Sequence, residues 1–168
     1  MKITILTVGK IKEKYLCDGI AEYAKRGAVE EYSKRLSRYC KLEIIEVADE
    51  KTPDHASAHE EELIRAKEAE RLKKYIKDNA YTIALAIDGK QYSSEDFSAH
   101  VHDLGLKGES HLQLIIGGSI GLAPEILSLA QEKISFSKMT FPHQLMRVIL
   151  LEQIYRAYRI MNGEPYHK

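Results

Sequence analysis

Gly117-Gly118-Ser119-Ile120-Gly121 carries two kinds of chemistry. As G-x-S-x-G it matches the strand-to-helix turn that presents a serine nucleophile. As a glycine-rich turn it offers bare backbone that a ligand can approach closely. The nucleophile reading needs an acid and a histidine later in the chain, and Glu125, Glu132, His143, Glu152 and His167 allow that order. Its context argues against it. Such a hydrolase sheet has more strands around the turn than this chain provides, and Leu122-Ala123-Pro124 delays the helix that should begin at the nucleophile. The turn is not G-x-G-x-x-G and no G-K-[ST] follows, so it spells neither a dinucleotide nor a triphosphate cradle.

The second unusual stretch is SFSKMTFPHQLMR (135–147), with Ser135, Ser137, Lys138 and Thr140 among apolar residues before a break at Pro142. Polar side chains in a pre-proline turn can present backbone donors and acceptors. Metal chemistry finds little support. His59-Glu60-Glu61-Glu62-Leu63 lacks the second histidine of H-E-x-x-H, and His55 and His59 lie in a polar stretch that suits solvated rings. His100 and His102 are two apart on an expected helix, so they diverge. No metal is expected.

Strands alternating with helices must position these turns. KITILTVG (2–9), LEIIEVAD (42–49), YTIALAIDG (81–89), HLQLIIGG (111–118) and the start of KISFSKMTF (133–141) read as strands, each apolar and β-branched. Helices are expected over 13–38, over 60–77 with the stripe Leu63, Ala66, Ala69, Leu72 and Ile76, from Ser93 as N-cap to about 104, after Pro124, and over 143–162. Glu22-Tyr23-Ala24-Lys25-Arg26 returns as Glu31-Tyr32-Ser33-Lys34-Arg35, with Gly27 between them as a place for a break. The alternation predicts a mostly parallel α/β sheet in one domain spanning residues 1–168. Ligands of such sheets bind beyond the carboxyl ends of the strands. The loops there are Asp88-Gly89, Gly117–Gly121 and Phe136–Phe141, which would share one pocket. The helix over 143–162 is apolar nearly all round, which implies burial on more than one side and cover from a second subunit.

The 168 residues carry formal net charge zero, so there is no global basic field to recruit nucleic acid. From Lys138 onward five cations face two carboxylates, which allows a local basic surface. No apolar run approaches the roughly 20 residues that span a bilayer. Cys17 and Cys40 form no C-x-x-C, and the start lacks a secretory leader, which suits a reducing cytoplasm.

IIGGSIGL, FSKMTFPHQLMRVILLEQIYRAYRI and the terminal GEPYHK together resemble the RlmH, or YbeA-like, family of SPOUT-class methyltransferases. The resemblance runs from ITILTVGKIKEKY through IIEVADEKTP to the last residue. The segment GAVEEYSKR (27–35), a local duplication or insertion, departs from the family pattern. The resemblance implies an α/β fold with a C-terminal deep trefoil knot and a homodimer with the knots at its interface. It implies S-adenosylmethionine as cofactor and N3 of a pseudouridine in 23S rRNA, within the assembled ribosome, as substrate. It also implies cofactor contacts at Leu85, Gly117 and Phe136-Ser137-Lys138-Met139-Thr140-Phe141. Apolar Leu85, Ile120, Leu122 and Phe141 would wall the purine. The nucleophile is a protonated imide nitrogen, which needs a base or an anion stabiliser. Among the tail residues, His167 suits the base, Lys168 with Arg147 the stabiliser, and Tyr166 a stacking surface for the base. A serine hydrolase using Ser119 and a non-catalytic RNA-binding module are the competing readings.

Overall fold

The computed structural model describes residues 1–10 and 28–165. Five strands form a single all-parallel sheet: β1 (Lys2–Val8), β2 (Lys41–Val47), β3 (Tyr81–Gln91), β4 (His111–Ile116) and β5 (Glu132–Ser135), in the order β2-β1-β4-β3-β5. The helices are α1 (Ala28–Leu36), α2 (Ala58–Lys73), α3 (Ser94–Leu106), α4 (Pro124–Leu129) and α5 (His143–Met161). The parallel α/β fold expected from the alternation is present. The first copy of the repeat and Gly27 lie outside the described residues; the second copy sits within α1, where Arg35 Nε donates to Glu31 Oε1 at 2.8 Å.

Two apolar layers hold the sheet, one per face. Ile3 and Ile5 of β1 and Leu112, Leu114 and Ile116 of β4 face α1, α3 and α5. Leu6 and Val8 of β1 and Ile115 of β4 face α2 and α4. That is the period-two alternation of a strand buried on both faces. Adjacent strands β3 and β4 therefore send their following helices to opposite faces. A crevice opens at such a switch point.

Several boundaries moved for physical reasons. The strand expected to stop at Asp88-Gly89 continues to Gln91. Residues after Leu85 leave the ladder, and Lys90 then pairs with the same Ile134 that Leu85 faces. The chain thus bulges at Ala86–Gly89 and resumes pairing. Helix α2 begins earlier than expected because Ser57 and Glu60 close a capping box, and it ends at Lys73. Its buried face is Ile64, Glu68, Ala69 and Leu72, whereas Leu63 is 50% exposed. The expected stripe was one residue out of phase on its N-terminal half. Ser93 caps α3 as expected, accepting from Asp96 N at 3.0 Å.

Helix α5 is covered within the protomer more fully than its apolar sequence suggested. It lies between α1 and α3 on one face of the sheet. Leu150, Leu151, Ile154 and Ala157 are buried, and no residue of α5 is fully exposed. Half-buried Leu145, Met146, Ile149, Ile160 and Met161 are its apolar residues that remain partly open. Among the described residues no helix is long and apolar enough to cross a membrane.

Candidate active site

The crevice at the β3/β4 switch point is a cavity of about 400 Å³. Three walls enclose it. The first is Leu85, the last residue of β3 paired before the bulge, with Ala86 and Ile87, which the bulge turns out of the ladder. The second is the turn after β4, with Gly117, Gly118, Ser119 and Gly121. The third is the loop from β5 to α5, with Phe136, Ser137, Met139, Thr140 and Phe141, closed by Pro142, His143 and Met146.

The glycine turn folds tightly onto itself. A Cβ on Gly117 would lie 2.7 Å from the carbonyl carbon of Gly121 and 3.0 Å from Leu122 N. Gly121 N donates to Gly118 O at 3.1 Å, and Gly121 takes φ +81°. The β5–α5 loop is held by its own hydroxyls: Ser135 Oγ donates to Ser137 O at 2.9 Å, and Met139 N donates to Ser137 Oγ at 2.9 Å. The polar residues noticed in this stretch shape the loop, and Phe136 packs against the core.

Of the residues proposed for cofactor contact, Leu85, Gly117, Phe136, Ser137, Met139, Thr140 and Phe141 converge on this one cavity. Lys138 is exposed and lies outside the lining. Ile120 and Leu122 do not wall it either. Ile120 O accepts from Arg65 Nη1 at 3.4 Å, and Leu122 packs against the core on the α2 side. The sequence reading missed Ala86, Ile87, Pro142 and Met146, and His143 closes the cavity beside them. The bulge that presents the first two depends on pairing with β5, which no local pattern reveals.

Arg147 sits one turn beyond His143 but points into the fold. It is 2% exposed, donates to Thr7 Oγ1 at 3.1 Å and to Gly9 O at 2.8 Å, and pairs with Glu46. Its guanidinium ties α5 to the ends of β1 and β2. Tyr166, His167 and Lys168 lie outside the described residues. Ser119 Oγ has Thr52 Oγ1 at 3.3 Å as partner, and a hydroxyl is no general base. No residue other than glycine takes a positive φ among the described residues, so Ser119 lacks the strained backbone of a nucleophile turn.

The cavity wall is chemically plain. Among the described residues it carries no Asp, Glu, Lys or Arg, and His143 is its titratable side chain. It can hold an apolar or aromatic group against main-chain donors and acceptors. Charged chemistry must come from outside the wall. No group of three or more His, Cys, Asp or Glu among the described residues could hold a metal ion.

Residues 1–167 match the family model described as "Predicted SPOUT methyltransferase". The chain is 67% identical to "Ribosomal RNA large subunit methyltransferase H" of Bifidobacterium adolescentis, 62% to the protein of that name from Clostridium tetani and 60% to that from Clostridium kluyveri. Each alignment runs over 168 residues and covers both chains completely, the segment 27–35 included. Among solved structures, a probable methylase family protein from Haemophilus influenzae shares the fold at 10% identity and a TM-score of 0.52, over 99% of this chain and 70% of that one. The family match and this neighbour support the α/β-knot fold for the chain. By its end-to-end match and its close full-length relatives, the chain belongs to the SPOUT methyltransferase family.

Proposed function

We propose that the chain is an S-adenosylmethionine-dependent methyltransferase acting on N3 of a pseudouridine in 23S rRNA, in the cytoplasm and as a homodimer. The observation that carries this is the apolar cavity of about 400 Å³ with bare main chain at Gly117 and Gly118 along one wall. Pockets of roughly 300–1,000 Å³ with apolar walls and a few polar groups suit small-molecule ligands. Such a wall fits a nucleoside: side chains sandwich the ring, and unobstructed backbone meets its hydrogen-bonding edge. Nothing in the wall would cradle a phosphate, and the proposed cofactor has none. The residues that would hold it are Leu85, Gly117, Phe136, Ser137, Met139, Thr140 and Phe141, with Lys138 at the outer side of the same loop. When bound, the cofactor supplies a methyl group activated on a sulfonium.

The protein's own task is to bring the imide nitrogen in line and take its proton. With the wall lacking charge, His167 is assigned as base, Lys168 as stabiliser of the imide anion and Tyr166 as stacking surface. Arg147, whose guanidinium is committed to Glu46, Thr7 and Gly9, frames the site through α5.

The homodimer reading assigns the tail of one protomer to the cavity of the other. Glu164, which accepts from Tyr39 Oη at 2.8 Å and pairs with Arg159, lies at the far end of α5, roughly 24 Å along the helix from His143. The zero net charge suits docking on the assembled ribosome, because naked RNA is held chiefly by phosphate neutralisation.

The test is transfer of labelled methyl from S-adenosylmethionine to ribosomes, large subunits and naked 23S rRNA. Label should enter 23S rRNA of the assembled particles. Label absent from all RNA refutes the reading, and a non-catalytic RNA-binding module predicts that result. A chain ending at Pro165 should bind cofactor and transfer nothing. Mixed with a Gly117→Val chain, which keeps its tail but loses its pocket, it should regain activity through heterodimers. No recovery would show that the tail does not act across subunits.

A further inference from the structure

Behind the glycine turn lies a carboxylic acid that the methyl-transfer chemistry does not use. Glu68, on the sheet-facing side of α2, is 4% exposed. Its Oε1 accepts from Glu50 N at 3.0 Å, while its Oε2 is buried with no hydrogen-bond partner among the described residues. The carboxyl abuts Gly118. A Cβ placed there would lie 3.0 Å from Oε2, 3.2 Å from Oε1 and 3.1 Å from Val8 Cγ1. Gly118 also lines the cavity, so one thickness of main chain separates the carboxyl from it. Helix α2 and the loop before it grip the following two residues as well, through Thr52 Oγ1 to Ser119 Oγ and Arg65 Nη1 to Ile120 O.

Packing alone does not account for an acid here. The same face of the sheet carries the apolar cluster Leu6, Val8, Ala69, Leu72, Ile115 and Ile126, and the hydrogen bond from Glu50 N occupies only one of the two carboxyl oxygens. A buried polar atom without a partner costs stability, and a native structure that retains one asks for a reason. Burial raises the acid above its ordinary carboxyl range; the hydrogen bond from the Glu50 amide and the Arg71 charge oppose this, and the Asp49 and Glu50 charges push the same way as burial.

We propose that Glu68 is a positioning residue for the methyl-transfer pocket: clamped to Glu50 N, its carboxyl acts as the stop against which Gly118 rests. It thereby sets how far the Gly117–Gly121 backbone projects toward the cofactor. This rests on the reading of the cavity as the cofactor site. Glu68 touches no reactant, so it governs cofactor affinity and leaves the methyl-transfer step alone.

The test is a double-mutant cycle read by titration calorimetry with S-adenosylmethionine, alongside single-turnover rates at saturating cofactor. Glu68→Gln keeps the shape and the acceptor to Glu50 N, and should bind within about twofold of the wild type. Glu68→Ala and Gly118→Ala should each weaken binding by roughly tenfold or more, since sub-ångström misplacement of a contact carries penalties of that order. In the Glu68→Ala background, Gly118→Ala should cost clearly less, because the carboxyl its methyl would strike is gone. Saturated single-turnover rates of the Glu68 variants should stay within about threefold. If Glu68→Ala does not fold, Glu68→Asp, which withdraws the carboxyl by one methylene, should suppress the Gly118→Ala defect in the same way. Independent, multiplicative effects of the two sites overturn the proposal, as does wild-type affinity in Glu68→Ala. A wild-type protein that fails to bind the cofactor at all overturns the reading of the cavity itself.

Discussion

Replacing Gly117 by alanine probes what the glycine turn is for. The expected obstacle is not the ligand but the turn. The new Cβ would sit 2.7 Å from the carbonyl carbon of Gly121, 3.0 Å from its oxygen and 3.0 Å from Leu122 N. Ordinary carbon contacts begin near 3.5 Å, so the turn must open by roughly 0.7 Å or more. All three obstructing atoms are main chain and cannot rotate away. Overpacking of this kind typically costs about 1–3 kcal/mol. If the turn resists, the loss falls on stability, at roughly 2–4 °C in Tm per kcal/mol for a domain of this size. If it yields, the wall moves and the ligand loses its contact, at roughly tenfold in Kd per 1.4 kcal/mol. Calorimetric titration with S-adenosylmethionine and thermal melting read both. The control is Gly108→Ala, remote from the cavity, where φ is +94° and nothing lies within 4 Å. That change should lower Tm through backbone strain of about 1–2 kcal/mol and leave Kd untouched. A Gly117→Ala protein with wild-type Kd and Tm would refute the claim that the turn needs a bare backbone.

Three other outcomes follow from side chains away from the wall. Arg147→Ala should cost about 2–4 kcal/mol in urea denaturation, from stranding Glu46 and Gly9 O, toward the lower end because Glu46 is one-third exposed; an unchanged midpoint would contradict the anchoring role of that guanidinium. Burial pushes the Cys40 thiol up to about 11, so in a Cys17→Ser protein it should react negligibly with thiol reagents at pH 8 until the chain unfolds, and rapid labelling of the native protein would contradict the packing around it. Desolvation first, then the Lys2 charge, hold His111 below its ordinary value. The unfolded chain therefore binds this proton more readily. The stability concerned is fully present above the unfolded value near pH 6.5 and is lost as pH falls through the folded one. Against wild type, His111→Gln should show a shallower fall in Tm between pH 7 and pH 5; parallel curves would contradict the shift.

What the sequence disclosed tracks how local each determinant is. Ser93 was legible as a cap because its partner, Asp96 N, is three residues away. Two of the tips that enclose the cavity, Gly117–Gly121 and Phe136–Phe141, were legible because glycine and proline punctuation marks strand ends, and a parallel sheet brings those ends together; the expected third, Asp88-Gly89, lies outside the lining, and the bulge at Ala86 and Ile87 takes its place. Glu68 was not legible. Helical periodicity gives a face its spacing but not its phase, and phase here is set by what α2 rests on, including the amide of Glu50. Arg147 looked available as a charge, but its partner Glu46 is 101 residues distant. The continuation of β3 past Gly89 depends on β5, more than 40 residues later. The knot came from the family resemblance alone, since threading leaves no periodicity.

The position of the cavity links both apolar layers to one ligand. Gly117 and Gly118 extend from β4 and are backed by α2, which belongs to one face of the sheet. Met146 and Phe136 belong with the other face, where α5 is wedged between α1 and α3. Residues 85–87 come from the bulge between them. A molecule seated there touches groups braced from both sides, and it binds only when both layers hold their geometry. The precision of the pocket therefore rests on buried features that never meet the ligand: the carboxyl under Gly118, the guanidinium joining α5 to β1, and the β5 pairing that forces the bulge. Such a wall, nearly free of charge, suits the proposed methyl transfer only if base and anion stabiliser are delivered from elsewhere, and wild-type transfer by the chain ending at Pro165 would refute that assignment.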